Sequence, residues 1–326
     1  MIFKIKKVIL GVHIKTGDEE LFDLGLVKYQ YLRNWAYVAG FQPQGLYKSA
    51  DLRLNNMLLL NAEIEEGLQL KIHQHYDVLG NQFEQKTVQS SFVTIHSEKL
   101  TSLNHLVDIV GKLTHFLSLA LFSYQAPQEF IVMGNSHPQY NKILYKVGAS
   151  TNPENYALIP FNELRDKMPS IIKCWFDNYD QLSQICHYLL STLNYDEFDA
   201  PDFLIIAQAL DGFHKRFLNK RKGKDYRKYK DQIDAMLKEY KDIKAIVNCH
   251  INSDVMTDSR NKYSHLIPDS EDTPNVVRGH ELFRLTQKAK VLLICCILDL
   301  LGLTHQEIDL CFEKSVFKPV IDEIDF

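Results

Sequence analysis

The stretch SFVTIHSEKLTSLNHLVDIVGKLTHFLSLA, residues 91–120, decides the fold class because its apolar residues change period part-way along. In Ser91–Ile95 apolar and polar residues alternate, which is typical of a half-buried strand. From Leu103 onward the apolar residues recur every three or four positions, which indicates a long amphipathic helix. Strand and helix follow one another closely here, so we expect the helix to pack on a sheet.

The regions on either side of this stretch differ in type. Upstream, short alternating runs such as residues 68–72 are separated by Gly and Asn turn signals, and strand-like segments recur at 129–133 and 142–147. After Pro160 the pattern is helical, with candidate helices at 161–168, 170–193, 202–218, 226–250, 255–266 and 280–301. The predicted fold class is α+β, an N-terminal antiparallel β-rich domain followed by an all-α helical bundle. We place a β-rich domain with one long packed helix at 1–160, a helical connector at 161–200 and the bundle at 201–326.

Composition excludes several classes of protein. A formal net charge of -4 argues against a surface that binds nucleic acid throughout, so any RNA contact must be local. The six cysteines include no pair at CxxC spacing and are expected to be buried thiols in a reducing cytoplasm. No apolar run approaches the roughly 20 residues needed to cross a bilayer. We therefore expect a cytoplasmic protein without membrane contact.

The segment RNKYSH, residues 260–265, contains the types of side chain that can cut RNA without a metal. RNA supplies its own nucleophile, the 2′-hydroxyl, so the protein needs only proton transfer and charge stabilisation. His265 can transfer protons near neutrality, and Arg260 keeps its charge and offers a planar fork to phosphate oxygens. Asn261 can orient the imidazole or the phosphate. Thr257, Asp258 and Ser259 can each cap a helix whose first turn holds the motif.

Helical geometry bears on the oligomeric state. Positions five apart are about 140° apart around a regular helix, so Arg260 and His265 are not stacked neighbours. A twofold axis beside this helix would bring two copies of the motif into one cleft. We therefore expect the active unit to be a homodimer.

The pattern Arg260-Asn261-x-x-x-His265 between two long helices resembles the signature of the HEPN superfamily, helical-bundle domains that are often metal-independent ribonucleases. The helix Phe203–His214 and the segment Thr257–Asn261, in a chain led by a β domain, are similar to the ApeA-like HEPN proteins of bacterial anti-phage defence. The helical similarity covers roughly residues 200–305, and that of the N-terminal sensor-type domain about 1–150.

The resemblance implies a dimeric endoribonuclease that leaves a 2′,3′-cyclic phosphate and stops translation when an infection is sensed. Arg260 and His265 would be catalytic and Asn261 would support them. Where related sequences often have Glu in the first helix of the HEPN domain, this chain has Asp211, one methylene shorter. His214 on the same helix could lean into the same cleft, or be an ordinary half-buried histidine.

A basic segment precedes the motif helix: nine of the sixteen residues 215–230 are Lys or Arg. Interleaved Tyr226 and Tyr229 could stack on bases while the cations follow the phosphates. The alternative is a solvated charge run. The residues predicted to bind RNA are Lys220, Arg221, Lys222, Lys224, Arg227 and Lys228.

The motif, the basic segment and the resemblance are consistent with two functions. The first is a defence ribonuclease that needs no metal or other cofactor, cuts an RNA such as a tRNA loop, and responds to a phage-derived trigger bound by the N-terminal domain. The second is a non-catalytic HEPN scaffold that dimerises and binds RNA or a nucleotide. The signatures GxxxxGK[ST], HExxH and GxSxG are absent, which argues against those familiar enzyme classes.

Overall fold

The fold is α+β, as the sequence predicts. The chain divides into two compact units, one of residues 1–153 and 159–177 and one of residues 154–158 and 178–326. The domain boundaries placed at 160 and 200 stay predictions. A computed structural model describes residues 7–37, 41–42, 51–52, 57–80, 85–134, 137–145, 148–153, 157–193, 200–219, 228–268, 275–313 and 315–322.

The first unit is built on an antiparallel sheet. The described strands are β1 Lys7–Leu10, β2 Glu20–Tyr29, β3 Phe41–Gln42, β4 Asp51–Leu52, β5 Met57–Glu65, β6 Leu68–Gly80, β7 Gln85–Ser102, β8 Pro127–Gly134 and β9 His137–Tyr145. Seven of these form one sheet in the order β1–β9–β8–β2–β7–β6–β5, and β3 pairs with β4 separately. Neighbouring strands in the described sheet run antiparallel throughout.

One helix packs on this sheet, as its apolar period predicts. After a short helix α1 (Leu32–Trp35), helix α2 (Leu103–Ala120) packs against β2 and β7. Ser102 caps α2, because its hydroxyl accepts the amide of His105 at 3.1 Å. The buried face of α2 includes Leu106, Ile109, Leu113, Phe116 and Leu117, all fully buried. Their alignment on one helix face gives the first unit its core.

The second unit is helical. Helix α3 (Met168–Ser191) runs across the boundary between the units and is followed by α4 (Ala200–Phe213), which continues into a π-helical turn, His214–Leu218. The remaining described helices are α5 Tyr229–Glu239, α6 Lys244–Cys249, α7 Ser253–Ser264, α8 His280–Leu300, α9 His305–Glu313 and α10 Lys318–Ile321. Helix α8 is central, since every residue from 291 to 298 is fully buried.

Two predicted helices differ from the observed ones. Residues 161–167 form turns rather than a helix, and α3 begins at Met168 with Pro169 in its first turn, where proline is tolerated. The single helix predicted over 226–250 is the pair α5 and α6. The buried side chain of Tyr240 ends α5, and Asp309 of α9 accepts the amide of Ala245 at 3.3 Å near the start of α6. This partner comes from a distant part of the chain, so local sequence patterns do not reveal the break.

Candidate active site

Helix α7 carries the three predicted catalytic residues in its C-terminal half. Asn252 caps its other end, where the side-chain oxygen accepts the amides of Asp254 (2.9 Å) and Val255 (3.3 Å). Arg260 therefore lies two turns into the helix and His265 is its C-cap. The prediction of a cap within residues 257–259 is wrong, because Asn252 satisfies the first free amides and starts the helix earlier.

The end of α7 presents His265 to solvent. The amide of His265 donates to the carbonyl of Asn261 (3.0 Å), and the amide of Ile267 donates to that of Lys262 (3.1 Å). Leu266 between them has φ +50°, a left-handed helix end at which glycine is the usual residue. Leu266 is 85% exposed, and His265 is exposed beside it. An exposed imidazole at a helix end is accessible to a substrate as large as RNA.

Side chains of α7 fix the chain that follows it. The buried ammonium of Lys262 donates to the carbonyl of Pro268 at 2.7 Å. The hydroxyl of Ser259 accepts the amide of Val277 (3.3 Å), and the hydroxyl of Tyr263 donates to the carbonyl of the same residue (2.8 Å). Three side chains of α7 therefore form hydrogen bonds with Pro268 and Val277, which lie between α7 and α8 in the chain. Such anchoring limits how far the C-terminal end of α7 can move.

Arg260 is oriented by an aromatic ring. It is half-buried, and its Cζ lies 5.0 Å from the ring centroid of Tyr229, the first residue of α5. Its Nη1 also donates to Oδ1 of Asn261 at 3.4 Å. Asn261 thus contacts Arg260 through its side chain and His265 through its main-chain carbonyl. The three motif residues come together at one end of one helix.

The two supporting residues on the preceding helices have different surroundings. Asp211 is mostly buried on α4, and its carboxylate accepts a hydrogen bond from Lys215 at 2.7 Å. Burial raises the pKa of the Tyr229 phenol above its ordinary value. The positive charge of nearby Arg260 opposes this shift, and the negative charge of Asp211 adds to it. Asp211 and Arg260 therefore lie near the same ring. His214, in contrast, is 1% exposed inside the bundle.

Much of the predicted RNA-binding segment lies outside the described residues. This holds for Lys220, Arg221, Lys222, Lys224 and Arg227, and also for Tyr226. Lys228 is described and exposed.

Other members of this basic segment make contacts within the bundle. Arg216 donates to the carbonyl of Gln181 at 2.6 Å, and Lys230 pairs with Asp254 in the first turn of α7. The expectation that Tyr229 stacks on RNA bases is wrong, because its ring is 7% exposed and lies against Arg260. The base-stacking role was predicted because Tyr229 lies near the end of a basic segment. That pattern does not distinguish a ring that stacks on bases from a buried one.

Among the described residues, no cluster of three or more His, Cys, Asp or Glu side chains is arranged to hold a metal ion. The motif itself offers an imidazole, a guanidinium and an amide. These groups can transfer a proton and stabilise an anionic phosphorus centre.

Family models match both units of the chain. The model described as ApeA N-terminal domain 1 matches residues 1–175, which is more than half of the chain. The chain belongs to the ApeA family. The model described as Apea-like HEPN matches residues 204–307, a range that contains α5 to α8 and every predicted catalytic residue. The protein is therefore an ApeA-like HEPN protein, a member of a family of anti-phage defence proteins.

No curated protein and no solved structure shows detectable similarity to this ApeA-like chain. HEPN domains are generally ribonucleases, and they commonly dimerise and bind RNA. None of the helices in the described ranges combines the length and the apolar character that a membrane-spanning helix requires.

Proposed function

We propose that this protein is a metal-independent endoribonuclease of anti-phage defence that acts in the cytoplasm. The observation that carries the proposal is the joint position of Arg260, Asn261 and the exposed His265 at one end of α7, inside the region matched by the HEPN model. The ring of Tyr229 and the hydrogen bonds from α7 to Pro268 and Val277 hold this end in place. A fixed cation beside an accessible imidazole suits phosphate chemistry.

The reaction is an internal displacement at phosphorus. The 2′-oxygen loses its proton and forms a bond to phosphorus, the bond from phosphorus to the 5′-oxygen breaks, and the leaving oxygen takes a proton. The products are a 2′,3′-cyclic phosphate and a 5′-hydroxyl. His265 serves as the proton-transfer group, and the guanidinium of Arg260 binds the phosphate oxygens whose charge grows in the transition state.

Two protons move in this reaction, and each chain supplies one motif histidine. A second copy across a twofold axis would place the partner's motif in the same cleft, so that one imidazole acts as base and the other as acid. Leu266 fits this arrangement, because an 85% exposed aliphatic side chain next to His265 would be covered by the second copy. The active unit is then a homodimer joined through the HEPN domain.

The first unit would act as the sensor. Its sheet and α2 form a core of their own, to which a phage-derived trigger would bind. A tRNA loop is the proposed substrate, since unpaired bases can be splayed out and read. Cutting tRNA would stop translation in an infected cell.

The test compares two exposed histidines in the same position of two neighbouring helices. His265 is the C-cap of α7 and His250 is the C-cap of α6. Wild type, His265→Asn and His250→Asn are incubated with total bacterial RNA in EDTA, with and without phage lysate, and fragment ends are sequenced and chemically typed. We expect wild type and His250→Asn to leave cyclic phosphates and His265→Asn to leave RNA intact. Intact RNA in all three, with lysate present, would favour the non-catalytic scaffold instead.

A further inference from the structure

Tyr229 is a buried residue in contact with Arg260 of the motif. It is 7% exposed at the start of α5, and the guanidinium of Arg260 lies over its ring at 5.0 Å from the centroid. A guanidinium within about 6 Å of an aromatic centroid is attracted by the negative face of the ring. Arg260 remains half-buried in this contact, and its Nη1 donates to Oδ1 of Asn261.

The ring of Tyr229, rather than its hydroxyl, makes this contact. Within the described part of the chain, the hydroxyl has no hydrogen-bond partner although it is buried. Burial raises the pKa of the phenol above its ordinary value, so the group is neutral at physiological pH. A neutral phenol carries no formal charge to pair with Arg260, so the attraction comes from the aromatic face.

Helix α5 is fastened to α7 at two successive residues. Lys230 forms an ion pair with Asp254 in the first turn of α7, and Tyr229 lies against Arg260 about two turns further along. These contacts fix the start of α5 relative to the motif helix. They also fix the end of the basic segment, because Tyr229 and Lys230 are its last two residues.

We infer that Tyr229 is a positioning residue for Arg260, holding the guanidinium where it can bind the phosphate in the transition state. The inference rests on the proposed ribonuclease function. An arginine has several rotatable bonds and would otherwise sample many rotamers at a half-buried site. Because Arg260 is proposed to act mainly in the transition state, loss of its positioning should lower kcat and leave KM nearly unchanged.

The kinetic test separates the ring from the hydroxyl. Tyr229→Phe keeps the ring, so we expect its kcat to stay within about twofold of wild type. Tyr229→Leu removes the ring, and we expect kcat to fall about tenfold or more with KM changed by less than about twofold. In an Arg260→Ala background, Tyr229→Leu should have no further effect on kcat, because the group that it positions is gone.

Tyr240 provides the matched control. It is a fully buried tyrosine of the same bundle, but its hydroxyl donates to Asp299 at 3.3 Å and its ring contacts His305. We expect Tyr240→Leu to lower stability while the folded fraction retains wild-type kcat. Equal kcat values for Tyr229→Leu, Tyr229→Phe and wild type would overturn the positioning role while the ribonuclease function stands.

A second measurement does not depend on activity or on the Leu variant folding. The Nε–H signal of Arg260 in an NMR spectrum of the wild-type protein, assigned with Arg260→Lys, should be shifted upfield by the ring below it. Tyr229→Phe should keep this shift. An unshifted Arg260 signal in wild type would refute the contact. If wild type cuts no RNA, the proposed function fails, and this signal still decides whether the ring holds Arg260.

Discussion

Lys290 is a buried lysine whose removal should change how stability depends on pH. It lies in α8, is 5% exposed, and its ammonium donates to the carbonyl of Thr192 at 3.1 Å. Burial lowers its pKa from the ordinary 10.5 to about 8, while nearby Asp202 partly opposes the shift. The folded protein therefore holds this proton less tightly than the unfolded chain does.

The sign follows from proton linkage. Between pH 8 and 10.5 the unfolded chain binds more protons at Lys290 than the folded protein, so stability rises with pH in this window. The contribution is fully present above the unfolded pKa and is lost as the pH falls through about 8. The lowering of the pKa from 10.5 to about 8 corresponds to about 3 kcal/mol, most of which falls between pH 7 and 10.

The assay is urea denaturation of wild type and Lys290→Met at several pH values between 7 and 10, with reductant present. Methionine fills a similar volume and carries no charge, so other titrating groups contribute equally to both proteins and cancel in the difference. We expect the stability of wild type, relative to that of the variant, to rise by about 2–3 kcal/mol across this range. If the difference in unfolding free energy between wild type and Lys290→Met changes by less than about 0.5 kcal/mol from pH 7 to 10, the reasoning is refuted.

Three further predictions concern the backbone and can be checked by the same denaturation assay. At concentrations where the chain is monomeric, Leu266→Gly should raise stability by up to about 1 kcal/mol, because glycine relieves the left-handed conformation at φ +50°; an unchanged midpoint under these conditions would argue against strain there. Gly134→Ala should destabilise the sheet by about 2 kcal/mol or more, since an added Cβ would lie 1.9 Å from the carbonyl oxygen of Leu21. In contrast, a Cβ added at Gly111 in α2 meets nothing within 4 Å, so Gly111→Ala should stabilise the protein by about 0.5–1 kcal/mol. Asp309→Ala should cost about 1 kcal/mol by leaving the amide of Ala245 at the start of α6 without its partner, and full stability in this variant would contradict that role.

The parts of the fold that depend on local periodicity were predictable. The alternating run before residue 97 lies in β7 and the three-to-four spacing from Leu103 forms α2, because each element buries the face that its own sequence makes apolar. Helices α7 and α8 were predicted to within about two residues for the same reason. The motif could also be selected from the sequence, since the chemistry of Arg, Asn and His is a property of the residues themselves.

The features that depend on distant residues were not predictable. The split between α5 and α6 relies on a carboxylate from α9, and helices α9 and α10 had no predicted counterpart. The residue pattern predicts a cap of α7 within residues 257–259, next to the motif, but the observed cap is Asn252, about two turns before Arg260. The basic segment predicts that Tyr229 stacks on RNA bases. In the structure the packing of α5 on α7 buries its ring against Arg260.

The sequence by itself therefore determined the order of sheet and helices, the family and the residues that can carry the chemistry. Only the tertiary structure decided which groups meet: Tyr229 with Arg260, Lys262 with the carbonyl of Pro268, and Asp309 with the start of α6. The physical reason is that periodicity and helix propensity act between residues a few positions apart, while a buried ring, an ion pair or a remote cap forms only after separate helices have packed.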